Sequence, residues 1–339
     1  MSQPVSSIPY AACCQVDQPN PQHRDDMARN TQNMLAMLER AVVGYRPFHD
    51  IRLVVFPEFA HAAPVYETAE EIAEKLAVEL PNAHTERLHA AAQKHGVWIQ
   101  TGSFLEVDPR YPDAVFNTTV LISPESQAPH GIISKYRKVN PWIPWEVHAS
   151  PCDIPDYSEE LFPVAETELG RIGVATCYDW VFPEVTRELA LGGAEILVRI
   201  SAYMDPWGAT EPTDWWTLVN RCRALENLAT VVACNQGASA AHYPPFSWPG
   251  ASMIVDLDGR ILSQAAAGPG EAIVVGPLGL ANLRAERARR TGHAMPAHLR
   301  PEAYARQRDS RLAAGPAPTD RSIGGLEERI RESARSLGW

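Results

Sequence analysis

Short runs of β-branched and aliphatic residues alternate along most of this chain with segments of helical period, and that alternation admits one broad class of fold. Residues 10–16, 53–56, 97–104 and 116–122 read as strands. Residues 24–43 read as a helix carrying Met27, Met34, Leu35, Leu38 and Val42 along one side, and residues 85–94 as a second helix. Residues 132–134 lead into a basic segment, and Gly170-Arg171 looks like a hairpin turn between residues 162–168 and a further strand. A helix over 182–192, a strand over 195–200, a helix over 214–228 and a strand over 230–235 follow. A hairpin turning at Asp258-Gly259 joins residues 252–255 to 261–264. The pattern predicts an α/β protein with mixed sheets. With 339 residues, 45% of them apolar, the chain can bury one large core or two smaller ones.

One cysteine is placed unlike the other five. In Gly173-Val-Ala-Thr-Cys-Tyr-Asp-Trp-Val-Phe-Pro-Glu184 the run from Ile172 to Thr176 delivers Cys177 to a turn. Pro183 and Glu184 then open a helical pattern that stops at Gly192-Gly193. Helix-terminal N–H groups close to a thiol favour its thiolate, which suits a nucleophile. A lone cysteine is equally a common inert core residue, so the segment leaves both readings open.

Two other segments bear on that choice. Leu53-Val-Val-Phe-Pro-Glu-Phe59 is an apolar strand ending in a carboxylate, Glu58. Ile132-Ile-Ser-Lys-Tyr-Arg-Lys-Val139 carries Lys138 toward the aromatic run Pro141-Trp-Ile-Pro-Trp-Glu146. Acyl transfer through cysteine needs a base for the thiol and a positive donor for the oxyanion, and Glu58, Lys138 and Cys177 supply one of each. In that order the chain resembles the nitrilase (carbon–nitrogen hydrolase) superfamily, whose catalytic set is Glu, Lys, Cys. The resemblance covers roughly residues 8 to 280 and rests on further blocks in the same order. These are Phe116-Asn-Thr-Thr-Val-Leu-Ile-Ser-Pro124, Arg221-Cys-Arg-Ala-Leu-Glu-Asn227, Val231-Val-Ala-Cys-Asn-Gln-Gly237 and Ser252-Met-Ile-Val-Asp-Leu-Asp-Gly-Arg260.

The resemblance implies a four-layer αββα sandwich over residues 1–280, followed by an extension, residues 281–339, that packs on a neighbouring subunit of a homo-oligomer. It implies Glu58 as base and acid, Lys138 as oxyanion stabiliser and Cys177 as nucleophile, with the backbone N–H of Tyr178 as a second oxyanion donor. Glu146, eight positions after Lys138, matches the second glutamate of aliphatic amidases and formamidases, which positions substrate and supports the lysine. Asp179 is assigned an orienting role, and Glu226 and Asn227 fall where the family places structural partners of the active-site loops.

Phe59, Trp142, Trp145, Trp180, Tyr203 and Trp207 are candidate pocket walls for a small apolar or a flat aromatic substrate. His61 and His148 flank the two acidic segments. Glu184 reads as a carboxylate complementing its helix dipole.

Tyr178-Asp179 after the cysteine, where nitrilases proper place Trp-Glu, favours an amidase acting on a small carboxamide. Trp180-Val181-Phe182 depart from the small polar sequence of aliphatic amidases. An N-carbamoyl amide hydrolase is the alternative, with Arg199 or Arg187 meeting the substrate carboxylate; a nitrile hydrolase comes third. A non-catalytic scaffold would be free to lose one of the four residues.

A net charge of −11 argues against nucleic acid as a partner, and the arginines from Arg284 to Arg290 read as a solvated helix face. Cys13, Cys14, Cys152, Cys177, Cys222 and Cys234 include no CxxC pair or zinc spacing. Cys13, Cys14 and Cys234 lie in apolar runs as core residues. The chain reads as a reducing, cytoplasmic protein with no metal and no cofactor. It shows no signal peptide and no apolar run near the ~18 to 20 residues that span a bilayer. Residues 280–289 are rich in Arg and Ala, 313–319 form a Gly/Pro/Ala linker, and 323–337 suit an amphipathic helix on Leu326, Ile330, Ala334 and Leu337.

Overall fold

Alternation of side chains along the strands sets the architecture. The computed structural model describes residues 8–142, 145–204, 208–243, 247–304, 320 and 322–336. Its first half runs β1 (Pro9–Gln15), α1 (Met27–Tyr45), β2 (Asp50–Val55), α2 (Ala69–Lys75), α3 (Ala83–His95), β3 (Trp98–Val107), β4 (Val115–Ile122) and β5 (Ile132–Arg137). The second runs β6 (Val164–Thr167), β7 (Gly170–Thr176), α4 (Pro183–Leu191), β8 (Ile196–Ser201), α5 (Trp215–Asn227), β9 (Thr230–Asn235), β10 (Met253–Val255), β11 (Ile261–Gln264) and β12 (Ala272–Pro277). The helices α6 (Leu280–Arg289), α7 (Met295–His298) and α8 (Ile323–Ser336) follow.

Two six-stranded sheets form, in the orders β12-β1-β2-β3-β4-β5 and β11-β10-β9-β8-β7-β6. In β1, Ala11 and Cys13 face the other sheet, while Ala12 and Cys14 face helices. β2 repeats this, with Leu53 and Val55 inward and Val54 outward. Val174, Val198, Ile200, Val232 and Ile254 meet the inward set from the second sheet, closing an apolar layer between the two. Met34, Leu38, Leu88 and Ala92 of α1 and α3 cover the outer face of the first sheet. Val185, Leu189, Trp216 and Ala224 of α4 and α5 pack on the second. The result is the four-layer αββα sandwich expected.

The parallel pairs β1–β2, β2–β3, β7–β8 and β8–β9 are each joined through helices, as parallel neighbours require. The turns after β2, β7, β8 and β9 therefore open at the strands' carboxyl ends, where α/β sheets present their ligand sites.

Three details differ from the sequence reading. The hairpin before β7 turns at Glu168-Leu169, since Thr167 already pairs with Gly170. Thr167 Oγ1 fixes that turn by donating to the Gly170 carbonyl (2.6 Å) and accepting from the Leu169 N–H (3.0 Å). The helix α2 and the strand β12 were not anticipated; β12 pairs antiparallel with β1, more than 250 residues away in sequence at Tyr10↔Pro277. Arg287 is not a solvated charge: its guanidinium donates to the carbonyls of Leu228 and Ala194 (both 2.8 Å), capping the end of α5.

The extension's helix α8 lies on its own chain. Leu326 and Ile323 pack into a cluster with Met27, Ala62, Ile72 and Val147, and Arg329 pairs with Asp153 at 3.2 Å. Ile330, expected on its apolar side, is exposed. The side chain of Ala334 and all of Leu337, like the linker over 313–319, lie outside the described residues. No described helix is long and apolar enough to cross a membrane.

Candidate active site

Four charged or nucleophilic residues from three connections converge at the open ends of the two sheets. Glu58 follows β2, Lys138 follows β5, Glu146 lies in the loop beyond it and Cys177 ends β7; all four are buried. Lys138 Nζ donates to Glu58 Oε1 and to both oxygens of Glu146, each at 2.8 Å. Glu58 Oε1 also accepts from Asn117 Nδ2 (2.8 Å), and Oε2 from the backbone N–H of Ala202 (2.8 Å). Glu146 Oε2 accepts the Trp142 N–H at 2.5 Å, and His148 Nε2 stands 3.5 Å away.

Two carboxylates and one ammonium in a dry site do not share charge evenly. Burial pushes the Glu58 carboxyl up; the Lys138 ammonium opposes this, and the Glu146 carboxylate adds to it. Burial would raise Glu146 as well, but Lys138 and His148 outweigh it and hold that carboxyl down at about 2. Lys138 stays charged: burial disfavours the ammonium, yet Glu146 and Glu58 together hold it above an ordinary lysine.

The cysteine departs from the sequence reading. A stretch of 3-10 helix, Cys177–Val181, starts at the thiol-bearing residue, whose φ of 47° is strained for a side-chain-bearing residue. Burial and the neighbouring Glu58 push the Cys177 thiol up to about 12, against the opposing pull of Lys138 and Arg199. Burial outweighs any help from helix-terminal N–H groups and favours the neutral thiol over a standing thiolate.

Asp179 ties this turn to the lysine segment. One carboxylate oxygen accepts from the Tyr136 hydroxyl (2.6 Å) and the Thr176 N–H (3.1 Å), the other from Asn140 N–H (2.8 Å) and Nδ2 (3.0 Å). Tyr136 and Asn140 bracket Lys138, so the nucleophile and the ammonium are fixed relative to each other through one carboxylate. Tyr178 directs its ring onto Phe182 (centroids 5.2 Å apart). From α5, Arg223 donates to the carbonyls of Trp180 (3.0 Å) and Val181 (3.1 Å), and Glu226 holds Arg223 at 2.9 Å. Asn227 bonds Thr186 Oγ1 at 3.3 Å on the helix that follows the turn. Glu184 is exposed in the first turn of that helix.

A cavity of about 510 Å³ opens above these groups, and Glu58, Glu146, Cys177 and Ala202 form part of its wall. Of the expected pocket residues, Phe59, Trp142 and Trp145 line it. Trp180 does not: it is wholly buried, its Nε1 donating to the Ala175 carbonyl at 3.0 Å. Tyr203 does not either; Asn235 holds its backbone and its ring packs 6.0 Å from Trp216. Trp207 lies outside the described residues.

Arg199 is enclosed behind Cys177, over the Trp216 ring at 4.3 Å and against Asn220 at 2.9 Å, and neither it nor Arg187 lines the cavity. His61 is a core residue stacked on Phe104 at 3.8 Å, and burial pushes its ring down to about 3. His148 is buried beside Glu146 and does not line the cavity.

Several working residues were missed in the sequence. Tyr66, Tyr243 and Trp248 also line the cavity, from loops with no periodic signal. Asn117 and Gln236 hold the two ends of Glu58, Gln236 by donating its Nε2 to the Glu58 main-chain carbonyl at 2.9 Å. A polar residue inside an otherwise apolar strand, as Asn117 is in β4, was the signal available. Among the described residues no group of three or more His, Cys, Asp or Glu side chains is placed to hold a metal ion.

The carbon–nitrogen hydrolase family model matches residues 10–288. A formamidase of Bacillus cereus (strain B4264) is 30% identical over 274 residues, 80% of this chain and 74% of that protein. Among solved structures, Saccharomyces cerevisiae Nit3, a member of branch 10 of the nitrilase superfamily, superposes with a TM-score of 0.66 at 24% identity, over 85% of this chain and 96% of the other. An amidase from Nesterenkonia sp. AN1 does so with 0.66 at 20% identity, over 90% and 98%; that structure carries the acetamide moiety of fluoroacetamide on its active-site cysteine. With the sandwich in place and a family match over most of its length, the chain belongs to the carbon–nitrogen hydrolases of the nitrilase superfamily, among its amidase-like members.

Proposed function

We propose that the protein hydrolyses a carboxamide to a carboxylic acid and ammonia through a thioester on Cys177. One observation carries this reading: a buried lysine bonded to two carboxylates, beside a cavity that also receives a cysteine. The likeness to a formamidase supports the amide as the bond acted on.

Glu58 takes the thiol proton as Sγ attacks the carbonyl carbon. A thiol near 12 does not ionise alone at neutral pH, so transfer to Glu58 accompanies attack. Negative charge gathers on the carbonyl oxygen, where the Lys138 ammonium and the Tyr178 N–H stabilise it; each such donor is typically worth ~3 to 4 kcal/mol in the transition state. Glu58 returns its proton to the nitrogen, the C–N bond breaks and ammonia leaves. Glu58 then deprotonates a water, whose oxygen attacks the thioester. The C–S bond breaks, the acid departs and sulfur regains its proton. Glu146 keeps Lys138 charged and aimed throughout, and Asp179 orients the turn that carries the nucleophile.

The test is ammonia release from aliphatic amides, aromatic amides, N-carbamoyl amino acids and nitriles, with Cys177→Ala alongside. Turnover of amides that vanishes in the mutant is expected. Turnover confined to ureido compounds or nitriles, or amide turnover that survives in the mutant, would overturn the reading.

The same reading takes residues 1–280 as the catalytic unit, acting in a homo-oligomer. Val181, Leu191, Leu218 and Leu225 are exposed on or beside α4 and α5, an apolar face that supports self-association. Six free cysteines, three of them deep in the core, support the reducing cytoplasm as its compartment.

A further inference from the structure

The walls of the cavity above Cys177 are chemically uneven, and the unevenness selects a substrate. Six aromatic side chains, Phe59, Tyr66, Trp142, Trp145, Tyr243 and Trp248, surround it. The Trp142 and Trp145 rings lie nearly parallel, 8° apart with centroids at 6.1 Å. At about 510 Å³ the space is that of a ring-bearing ligand, within the ~300 to 1,000 Å³ typical of pockets for molecules far larger than formamide.

Its charges run one way. Besides Glu58 and Glu146 the described wall holds Glu67 and His242, and no lysine or arginine. Lys138 is not part of that wall, and its bonds to Glu58 and Glu146 place its charge at the reacting end. Asp17 Oδ1 engages His242 Nδ1 at 2.7 Å, which leaves Nε2 as the ring nitrogen available to a ligand. Asn20 faces the same space; its Oδ1 accepts the Ala63 N–H at 2.9 Å, while its buried Nδ2 has no hydrogen-bond partner among the described residues.

From this we infer that the substrate is an arylalkyl carboxamide, neutral or cationic at the end far from the amide. The inference rests on the amidase reading and narrows it. The ring fills the aromatic wall, and a distal donor or ammonium meets Glu67 and His242. A distal carboxylate would face Glu67 with no wall lysine or arginine to pair it, which disfavours carboxylate-bearing amides and ureido acids alike.

The experiment compares kcat/KM for acetamide, 2-phenylacetamide, and 2-phenylacetamide bearing a para-aminomethyl or a para-carboxyl group. Phenylacetamide should exceed acetamide by roughly 10- to 100-fold, the discrimination that a buried ring supplies. The amine should exceed the carboxylate by at least roughly tenfold, and the gap should narrow as salt rises. Glu67→Gln, an exposed change that leaves the core untouched, should shrink that amine-to-carboxylate ratio, and Trp248→Leu should lower the phenylacetamide-to-acetamide ratio. If acetamide is hydrolysed as well as phenylacetamide, with activity still dependent on Cys177, the inference falls while amide hydrolysis stands. A carboxylate that outpaces the amine also overturns it. Silence on every amide, with turnover of a nitrile or ureido compound, removes the amidase reading itself.

Discussion

Glu58 and Glu146 are the same amino acid on the same ammonium, and their surroundings drive them apart. Glu146 has the lysine bidentately and a histidine behind it, so it stays ionised. Glu58 is left as the carboxyl that burial raises, which suits the role proposed for it, a base that later acts as an acid. The pH profile follows from the sign of the shift. A raised carboxyl loses its base form earlier as pH falls, so the acid limb of kcat/KM should lie above the ordinary glutamate value of 4.5. A limb at or below that value would refute the assignment. Alkylation of Cys177 should track the same limb rather than climb through pH 8 to 9, and Glu58→Gln should slow it.

Glu146→Gln should abolish most activity with the fold intact; near-normal turnover would reduce Glu146 to a loop carboxylate. Its folded-state pKa of about 2 is below the ordinary 4.5, so the folded state binds fewer protons. The stability it contributes is present above 4.5 and is lost as pH falls from there toward 2. Glu146→Gln should accordingly flatten acid unfolding in that window, measured by circular dichroism against the wild type. Glu58 was legible because it abruptly ends a short apolar run, and Glu146 through the resemblance of its segment to amidases and formamidases. Trp180 and Trp142 show the opposite. Both stand beside a catalytic residue in sequence, yet one is core and the other lines the cavity, and only the path of the backbone separates them.

At the scale of elements, β3 places the base. Its pairing with β4 shifts register between Gln100 and Ser103, and within that bulge Gly102 takes a φ of 73°. A Cβ there would stand 2.5 Å from the Pro57 carbonyl, immediately before Glu58, and Ser103 Oγ accepts the Phe59 N–H at 2.9 Å immediately after it. Gly102→Ala should therefore cost roughly 100-fold in kcat, the scale of a displaced catalytic group, while the protein still melts cooperatively. An unchanged kcat would show that the loop is set elsewhere.

The helix α8 bears on the same site from the other end of the chain, since Ile323 lines the cavity and Leu326 is buried in the cluster beneath Phe59. Leu326→Ala should weaken that docking by about 2 to 5 kcal/mol and speed amide exchange over residues 323–336. Exchange as slow as in the wild type would mean that other contacts hold the helix. Residues 323–337 declared a helix in sequence through their spacing, but nothing local said what it would cover.

For the whole molecule, the alternating pattern made the α/β class legible, and the strands of the second sheet were read nearly to the residue because each run is short and bounded by a helix or a turn signal. The cavity walls were legible in part: Phe59, Trp142 and Trp145 stand beside the acidic segments, whereas Tyr66, Tyr243 and Trp248 sit on loops whose partners are remote in sequence. If the apolar face on α4 and α5 joins two copies, light scattering at working concentration should give a mass at least twice the 37.4 kDa of one chain, and a monomer would refute this.

One pairing described above also bears on how the chain is made. The strand β12 completes the first sheet against β1, and Gln15, just inside that sheet, donates to the Gly270 carbonyl at 2.8 Å. A ribosome that has already released Glu58, Lys138 and Cys177 still holds the strand that closes the sheet's edge. Until residues 272–277 emerge, the nascent chain carries an open β-edge at its oldest strand, the kind of surface that chaperones shield and that seeds aggregation. Synthesis, not chemistry, is then the stage at which this enzyme is most exposed to its neighbours.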